Sequence, residues 1–182
     1  MEKEIYIIRH CEAKGQPFEA NLTERGLSQA NHLAEFFSNI KIDQIISSPF
    51  WRAIQSIEPT SHTKNINIVV DERLSERKLS SGDLPDWLEK LKTTFDEMEL
   101  KFDGGESSQV ATNRAISVIN QIISSDHQKT IVVTHGNLMS LILKYFNEDF
   151  GFENWKKLSN PDVFVLKVKD NDIVYERLWQ EF

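Results

Sequence analysis

The amino-acid sequence predicts a three-layer α/β/α fold built on a mostly parallel central sheet. Short apolar or β-branched runs alternate along the chain with longer amphipathic stretches, which is the pattern of strands separated by helices. The run Ile131, Val132 and Val133 is apolar on both sides, as expected for a strand covered by helices on both faces. With 40% hydrophobic and 27% charged residues, the 182-residue chain can form a packed core, and we expect one domain over residues 1–182.

Four runs are predicted to form the parallel part of the sheet. They extend from Ile5 to Arg9, from Gln44 to Ser47, from Asn67 to Val70 and from Thr130 to Thr134. Towards the C-terminal end, apolar stretches at residues 163–168 and 173–178 flank the polar residues 169–172, which predicts a β-hairpin.

Helical periodicity is clearest from Thr23 to Phe37. Apolar residues recur there at spacings of three and four, namely Leu27, Ala30, Leu33, Ala34 and Phe37. Thr23 is the candidate N-cap of this helix. A second helix is expected to begin at Ser107 or Ser108, a third to follow His135, and residues 79–102 are predicted to form a helical excursion on one face of the sheet.

Charge and composition exclude several classes of partner. The formal net charge is −7, from 28 acidic and 21 basic residues, so we expect no nucleic-acid partner, and an anionic ligand would need a local basic pocket. No stretch has the length of a membrane span and no export signal is evident, so we expect no membrane partner. The single cysteine, Cys11, excludes an internal disulfide, and a cytoplasmic location is expected.

Two histidines directly follow predicted strands. Arg9 and His10 end the first strand, and His135 and Gly136 follow the last of the four. Open α/β sheets bind ligands beyond the carboxyl ends of their strands, so both histidines open onto one crevice if their strands are neighbours. A neutral imidazole can attack phosphorus and form a phosphoenzyme intermediate. The pattern therefore indicates phosphoryl transfer with His10 as a candidate nucleophile.

Phosphoryl transfer requires cations and a proton donor as well as a nucleophile. Guanidinium groups neutralise a phosphate dianion through paired hydrogen bonds, and Arg9 supplies one such group. Arg52 is the candidate for the second, because it follows a Ser-Ser-Pro turn at the end of another predicted strand. Glu76 is the candidate donor of a proton to the leaving oxygen, with Glu72, four residues earlier, as the alternative.

These segments resemble the histidine phosphatase superfamily, whose fold is called phosphoglycerate mutase-like. The similar segments are Ile8-Arg9-His10-Cys11-Glu12, residues 21–26 with Gln29-Ala30, Ser47-Ser48-Pro49 with Arg52-Ala53, Arg73-Leu74-Ser75-Glu76, Gly104-Gly105-Glu106-Ser107 and Thr134-His135-Gly136. Cys11 stands where the family usually has glycine, and residues 13–16 lack the family's Trp-Asn element.

The resemblance implies a role for each candidate residue. His10 corresponds to the phosphorylated nucleophile, and Glu76 to the proton donor. The phosphate pocket is implied to consist of Arg9, Arg52 and His135. Gly136 and Gln16 are further implied substrate contacts, and no metal or organic cofactor is implied.

The function expected from these residues is hydrolysis of a phosphomonoester through a phosphohistidine intermediate on His10. The expected substrate is a small phosphorylated metabolite, and the chain is expected to be a monomer or homodimer. A phosphoglycerate mutase and a phosphohistidine or phosphotyrosine protein phosphatase are the alternatives among enzymes. A non-catalytic, phosphate-dependent binding module is the alternative outside them.

Several other side chains have a structural and a functional interpretation. Cys11 is interpreted as a tolerated small residue, with a redox switch as the alternative. The four tryptophans are expected to pack in the core or at the rim of the site: Trp51, Trp87, Trp155 and Trp179. One or two further basic residues could line its mouth, the candidates being Lys14, Lys78, Lys101 and Arg114.

Overall fold

The computed structural model describes residues 2–170 and 172–180. Their strands are β1 (Glu2–Arg9), β2 (Gln44–Ser47), β3 (Ile68–Val70), β4 (Lys129–Thr134), β5 (Asp162–Lys169) and β6 (Asp172–Arg177). They form one sheet in the order β3-β2-β4-β1-β5-β6, in which β3, β2, β4 and β1 run parallel and β5 and β6 are antiparallel. The predicted mostly parallel sheet and the C-terminal hairpin are both confirmed.

Six helices connect the strands within the described residues. They are α1 (Glu24–Phe36), α2 (Trp51–Lys64), α3 (Trp87–Asp96), α4 (Ser108–Ser124), α5 (Gly136–Phe146) and α6 (Phe152–Lys156), with a short 3-10 turn at Glu72–Leu74. The side chains of Thr23 and Ser107 accept hydrogen bonds from the first turns of α1 and α4, so both predicted helix starts are confirmed. None of these helices is long and apolar enough to cross a membrane.

The core lies on both faces of the sheet. Side chains of β1 alternate between the faces, since Ile5 and Ile7 pack on one side and Tyr6 and Ile8 on the other. Buried residues of α4 and α5 cover the first side, and buried residues of α1 and α2 cover the second. The three-layer arrangement expected from the sequence is therefore confirmed.

The segment predicted as a helical excursion is only partly helical. Of residues 79–102, α3 occupies Trp87–Asp96, and the preceding stretch has no regular structure. Gly82 and Pro85 explain the late start, because glycine disfavours the helix and proline disfavours helical geometry at the residue before it. The apolar periodicity of α1 predicts a buried side chain at Leu27, but this residue is 52% exposed.

Strand order brings the predicted site together. Strand β4 lies between β1 and β2, with Arg9 opposite Thr134 and Ser47 opposite Val133. The backbone N–H of His10 donates to the carbonyl oxygen of Thr134 at 3.1 Å. The three strands therefore end side by side, and the chain leaving each of them enters one crevice.

Candidate active site

His10 lies at the end of β1 with both ring nitrogens engaged. Its Nδ1 lies 2.7 Å from the carbonyl oxygen of Cys11, which can only accept, so Nδ1 carries the proton. Arg52 Nε donates to His10 Nε2 at 3.2 Å, which requires an unprotonated Nε2. Burial, with Arg52 and Arg9 nearby, lowers the pKa of His10 to about 3. His10 is therefore neutral near pH 7, with the lone pair on Nε2.

Arg52 is fixed from two directions beneath this imidazole. It is 1% exposed, and its Nη1 donates to the carbonyl oxygens of Gln16 and Pro17 at 2.9 Å each. Its guanidinium also lies 4.8 Å from the centre of the Phe50 ring. The segment after β1 thus orients the arginine that contacts His10, and Gln16 participates through its backbone.

Arg9 lies against the first residue of α5. Its Nη1 donates to the carbonyl oxygens of Leu158 and Ser159 at 3.2 and 3.4 Å, while its buried Nε has no partner among the described residues. A Cβ on Gly136 would stand 2.9 Å from Arg9 Nε and 3.1 Å from Cζ. Glycine at 136 is thus required for the guanidinium to take this position.

His135 faces His10 from the end of β4, with ring centroids 5.1 Å apart. Its Nε2 lies 2.7 Å from Ser48 Oγ, which also accepts the N–H of Phe50. The Ser48 hydroxyl has no other acceptor among the described residues, so it donates to Nε2, and the proton of the imidazole is then on Nδ1. That Nδ1 is buried without a partner. Burial, followed by His10 and both arginines, holds the pKa of His135 well below its usual value.

Glu76 lies at the N-terminus of α5. Its Oε1 accepts the backbone N–H groups of Arg77 and Leu138 at 2.8 and 2.9 Å, and its Oε2 accepts that of Asn137 at 3.0 Å. Of the two candidate acids, Glu76 faces the crevice, and Glu72 is exposed elsewhere. Favourable electrostatic interactions link Glu76 with Arg9 and Arg52.

The loop before β5 supports the site, which sequence reasoning missed. Asn160 Nδ2 donates to the backbone carbonyl of His10 at 2.8 Å, and the carbonyls that bind Arg9 lie just before it. Buried Asp162 accepts the N–H of Ser159 and pairs with Arg177 at 2.6 Å. The turn residues Asn and Pro at 160–161 indicate a loop, but nothing in the sequence places it beside His10.

A cavity of about 520 Å³ opens in front of these residues. Five of the seven predicted site residues line it, namely Arg9, His10, Gln16, Glu76 and Gly136. Arg52 and His135 lie behind His10 and are buried. The described residues include no group of three or more His, Cys, Asp or Glu side chains that could hold a metal ion.

A family model matches nearly the whole chain. The model described as "Histidine phosphatase superfamily (branch 1)" matches residues 5–180. The chain belongs to this superfamily. The segments that carry the resemblance in the sequence therefore lie within the matched region.

Relatives of this histidine phosphatase include both phosphatases and a mutase. "Phosphoserine phosphatase 1" of Hydrogenobacter thermophilus is 27% identical over 144 residues, covering 71% of this chain and 68% of that protein. "Probable phosphoglycerate mutase GpmB" of Proteus mirabilis is 28% identical over 159 residues, covering 77% and 73%. The mycobacterial glucosyl-3-phosphoglycerate phosphatase structure superposes with a TM-score of 0.79 at 18% identity and covers 97% of both chains, which shows the shared fold.

The other side-chain interpretations have mixed outcomes in this histidine phosphatase. Burial raises the pKa of Cys11 to about 12, so the thiol is protonated near pH 7, which disfavours a redox switch. None of the four basic residues proposed for the mouth is among the described lining residues. Arg114 instead donates to the carbonyls of Arg73 and Ser75 and orients the loop that leads to Glu76. Arg77, which sequence reasoning missed, does line the cavity.

The two buried histidines of this phosphatase should make stability depend on pH. Their pKa values lie below the usual 6.5 in the folded chain, so below that pH the unfolded chain binds more protons. Stability is therefore greatest above pH 6.5 and is lost as the pH falls, by about 2 kcal/mol for His10 between pH 7 and pH 5, with a further loss in the same direction for His135. Urea unfolding at both pH values measures this loss. His10→Gln should lose less stability over the interval than the wild type, and an equal loss would contradict the prediction.

Proposed function

We propose that this chain is a phosphatase that hydrolyses a small phosphomonoester through a phosphohistidine intermediate on His10. One observation carries the proposal: a neutral imidazole with its lone pair on Nε2 stands among donors that lack an anionic partner. Arg9 Nε and His135 Nδ1 are buried and unpartnered. A buried donor without a partner costs about 1–3 kcal/mol, and phosphoryl oxygens would supply the acceptors.

The arrangement supports a two-step reaction. In the first step His10 Nε2 attacks phosphorus, the bond from phosphorus to the ester oxygen breaks, and that oxygen leaves with a proton from protonated Glu76. Arg52 turns its Nε donor from the imidazole to a phosphoryl oxygen, and Arg9 neutralises a second one. In the second step water attacks phosphorus, gives a proton to Glu76, and releases orthophosphate and free His10.

The form of the cavity favours hydrolysis over mutase chemistry. A mutase must retain its phosphorylated intermediate away from water. Here the segment available to cover the site, residues 79–102, leaves Trp87 half exposed at the cavity edge. His10 itself lines the cavity and is 8% exposed, so water can reach it.

Product analysis distinguishes the two reactions. With 3-phosphoglycerate or other phosphomonoesters we expect stoichiometric release of orthophosphate and no 2-phosphoglycerate, measured by phosphate assay and by phosphorus NMR. Isomer formation without orthophosphate would establish a mutase instead. Binding of orthophosphate without turnover of any ester in a broad panel would indicate a non-catalytic module.

Other features of the proposal concern the whole protein. We place residues 1–182 in one catalytic domain, because the site draws on segments from Arg9 to Asn160. A cytoplasmic location and a monomeric or homodimeric state stay predictions. Small phosphorylated metabolites are the expected substrates, in keeping with the names of the relatives.

A further inference from the structure

The cavity is larger than the phosphoryl site requires. Its volume of about 520 Å³ is within the range of pockets that enclose a whole small molecule. The phosphoryl donors form only part of its lining. The remainder of the cavity therefore surrounds the leaving group of the substrate and determines which leaving groups fit.

Part of the cavity lining is apolar and comes from two helices. Trp87 and Leu91, four residues apart on α3, present one face to the cavity, and Trp155 of α6 presents another. The two helices are joined by Phe152, whose ring lies 6.2 Å from that of Phe95 and stacks 5.4 Å from that of Trp155. We call Trp87, Leu91 and Trp155 the leaving-group wall. The contacts of Phe152 with both helices hold the two parts of this wall together.

The charges around the cavity disfavour a second anionic group on the substrate. Among the described lining residues, Arg9 and Arg77 are the cationic side chains, and Glu12 and Glu76 are the anionic ones. Arg77 Nε donates to the Glu106 carbonyl and its Nη1 to Thr94. Its Nη2 is buried and has no partner among the described residues. Two cationic and two acidic side chains thus line the cavity, so once the phosphoryl group pairs with Arg9 the lining has no excess of cations to bind a second anionic group.

We infer that the preferred substrates are phosphomonoesters whose leaving group is uncharged and has a flat apolar face that packs against Trp87, Leu91 and Trp155. This inference rests on the proposed phosphatase function and names the substrate class of the same site. A planar ring gains most from such a wall, because tryptophan offers a large, rigid face for stacking. Small esters carrying a carboxylate, such as phosphoserine and 3-phosphoglycerate, are disfavoured on the same grounds.

The test compares esters that differ in this feature alone. Benzyl phosphate and ethyl phosphate both release a primary alkoxide, so the benzene ring is the main difference between them. We expect kcat/KM for benzyl phosphate to exceed that for ethyl phosphate and for 3-phosphoglycerate by about 10-fold or more, the gain of burying a ring. Equal values for benzyl and ethyl phosphate, or a preference for 3-phosphoglycerate, would overturn the inference.

Variants of the wall residues test whether the preference for benzyl phosphate arises from contacts with this wall. Trp87→Ala and Trp155→Ala should each lower kcat/KM for benzyl phosphate about 5-fold or more, while inhibition by orthophosphate and turnover of ethyl phosphate change less than twofold. Trp51→Ala is the control, since Trp51 is also the first residue of a helix and is 45% exposed, but it does not line the cavity. An equal response of Trp87→Ala and Trp51→Ala would refute the proposed wall.

Binding of phosphonates separates this inference from the proposed function. Benzylphosphonate and ethylphosphonate cannot be hydrolysed, and their binding by calorimetry does not depend on turnover. A preference for benzylphosphonate that Trp87→Ala removes supports the inference even if no ester is hydrolysed, in which case the phosphatase proposal alone fails. Hydrolysis without any benzyl preference in binding or turnover would overturn the inference and leave the phosphatase proposal intact.

Discussion

Replacing His10 with alanine is expected to lower kcat/KM for phosphomonoesters by about a thousandfold or more, because the step that forms the phosphoenzyme is lost. The neighbouring His135 is fully buried and its Nε2 is engaged by Ser48 Oγ, so it is not placed to take over the role of His10. Steady-state release of orthophosphate measures the effect. Quenching turnover of a labelled ester with alkaline detergent should trap on the wild type a phosphate label that subsequent acid treatment removes, and should trap none on His10→Ala.

Two controls separate lost chemistry from lost structure. His62→Ala changes an exposed histidine on α2 and should leave kcat/KM unchanged. His10→Gln keeps more of the buried volume and should lose as much activity as His10→Ala while keeping a cooperative unfolding transition. Activity within tenfold of the wild type in either His10 variant would refute the assignment of His10 as nucleophile.

Replacing Glu76 with glutamine is expected to slow hydrolysis of alkyl phosphates by about 10²- to 10⁴-fold, the usual contribution of a general acid. An alkoxide is a poor leaving group unless it is protonated as it departs. 4-Nitrophenolate leaves readily without a proton, so 4-nitrophenyl phosphate should lose less than about tenfold. Measuring kcat/KM for ethyl phosphate and 4-nitrophenyl phosphate in the same variant gives this contrast directly.

The dependence on leaving group distinguishes proton donation from a purely structural role. Glu76 accepts three backbone N–H groups at the start of α5, and a glutamine amide would oppose one of them at a cost of about 1–3 kcal/mol in stability. A structural defect would slow both esters equally. Equal losses would thus contradict the role of proton donor, and Glu72→Gln, which alters the exposed alternative, should slow neither ester.

The residues that lie together at the candidate site could be predicted because each is encoded locally. A strand followed at once by Arg9 and His10, and another followed by His135, are short-range patterns, and strand ends are where open α/β sheets bind ligands. The same reasoning found Arg52 and the helix starts at Thr23 and Ser107. It failed at residues 79–102, where Gly82 and Pro85 outweighed the helical composition of the segment.

Other parts of the site depend on contacts between distant segments. Ser48 sets the tautomer of His135 across 87 residues, and Asn160 binds the His10 carbonyl across 150. The start of α5 holds Glu76, and not Glu72, at the cavity, and the apolar wall exists because α3 and α6 meet at Phe152. The sequence by itself determined the fold class and predicted His10, Arg9 and Arg52 as residues of one site, because periodicity and strand-end motifs are local. Only the tertiary structure decided the tautomers, the supporting loop and the leaving-group wall, because these depend on which segments the sheet order brings into contact.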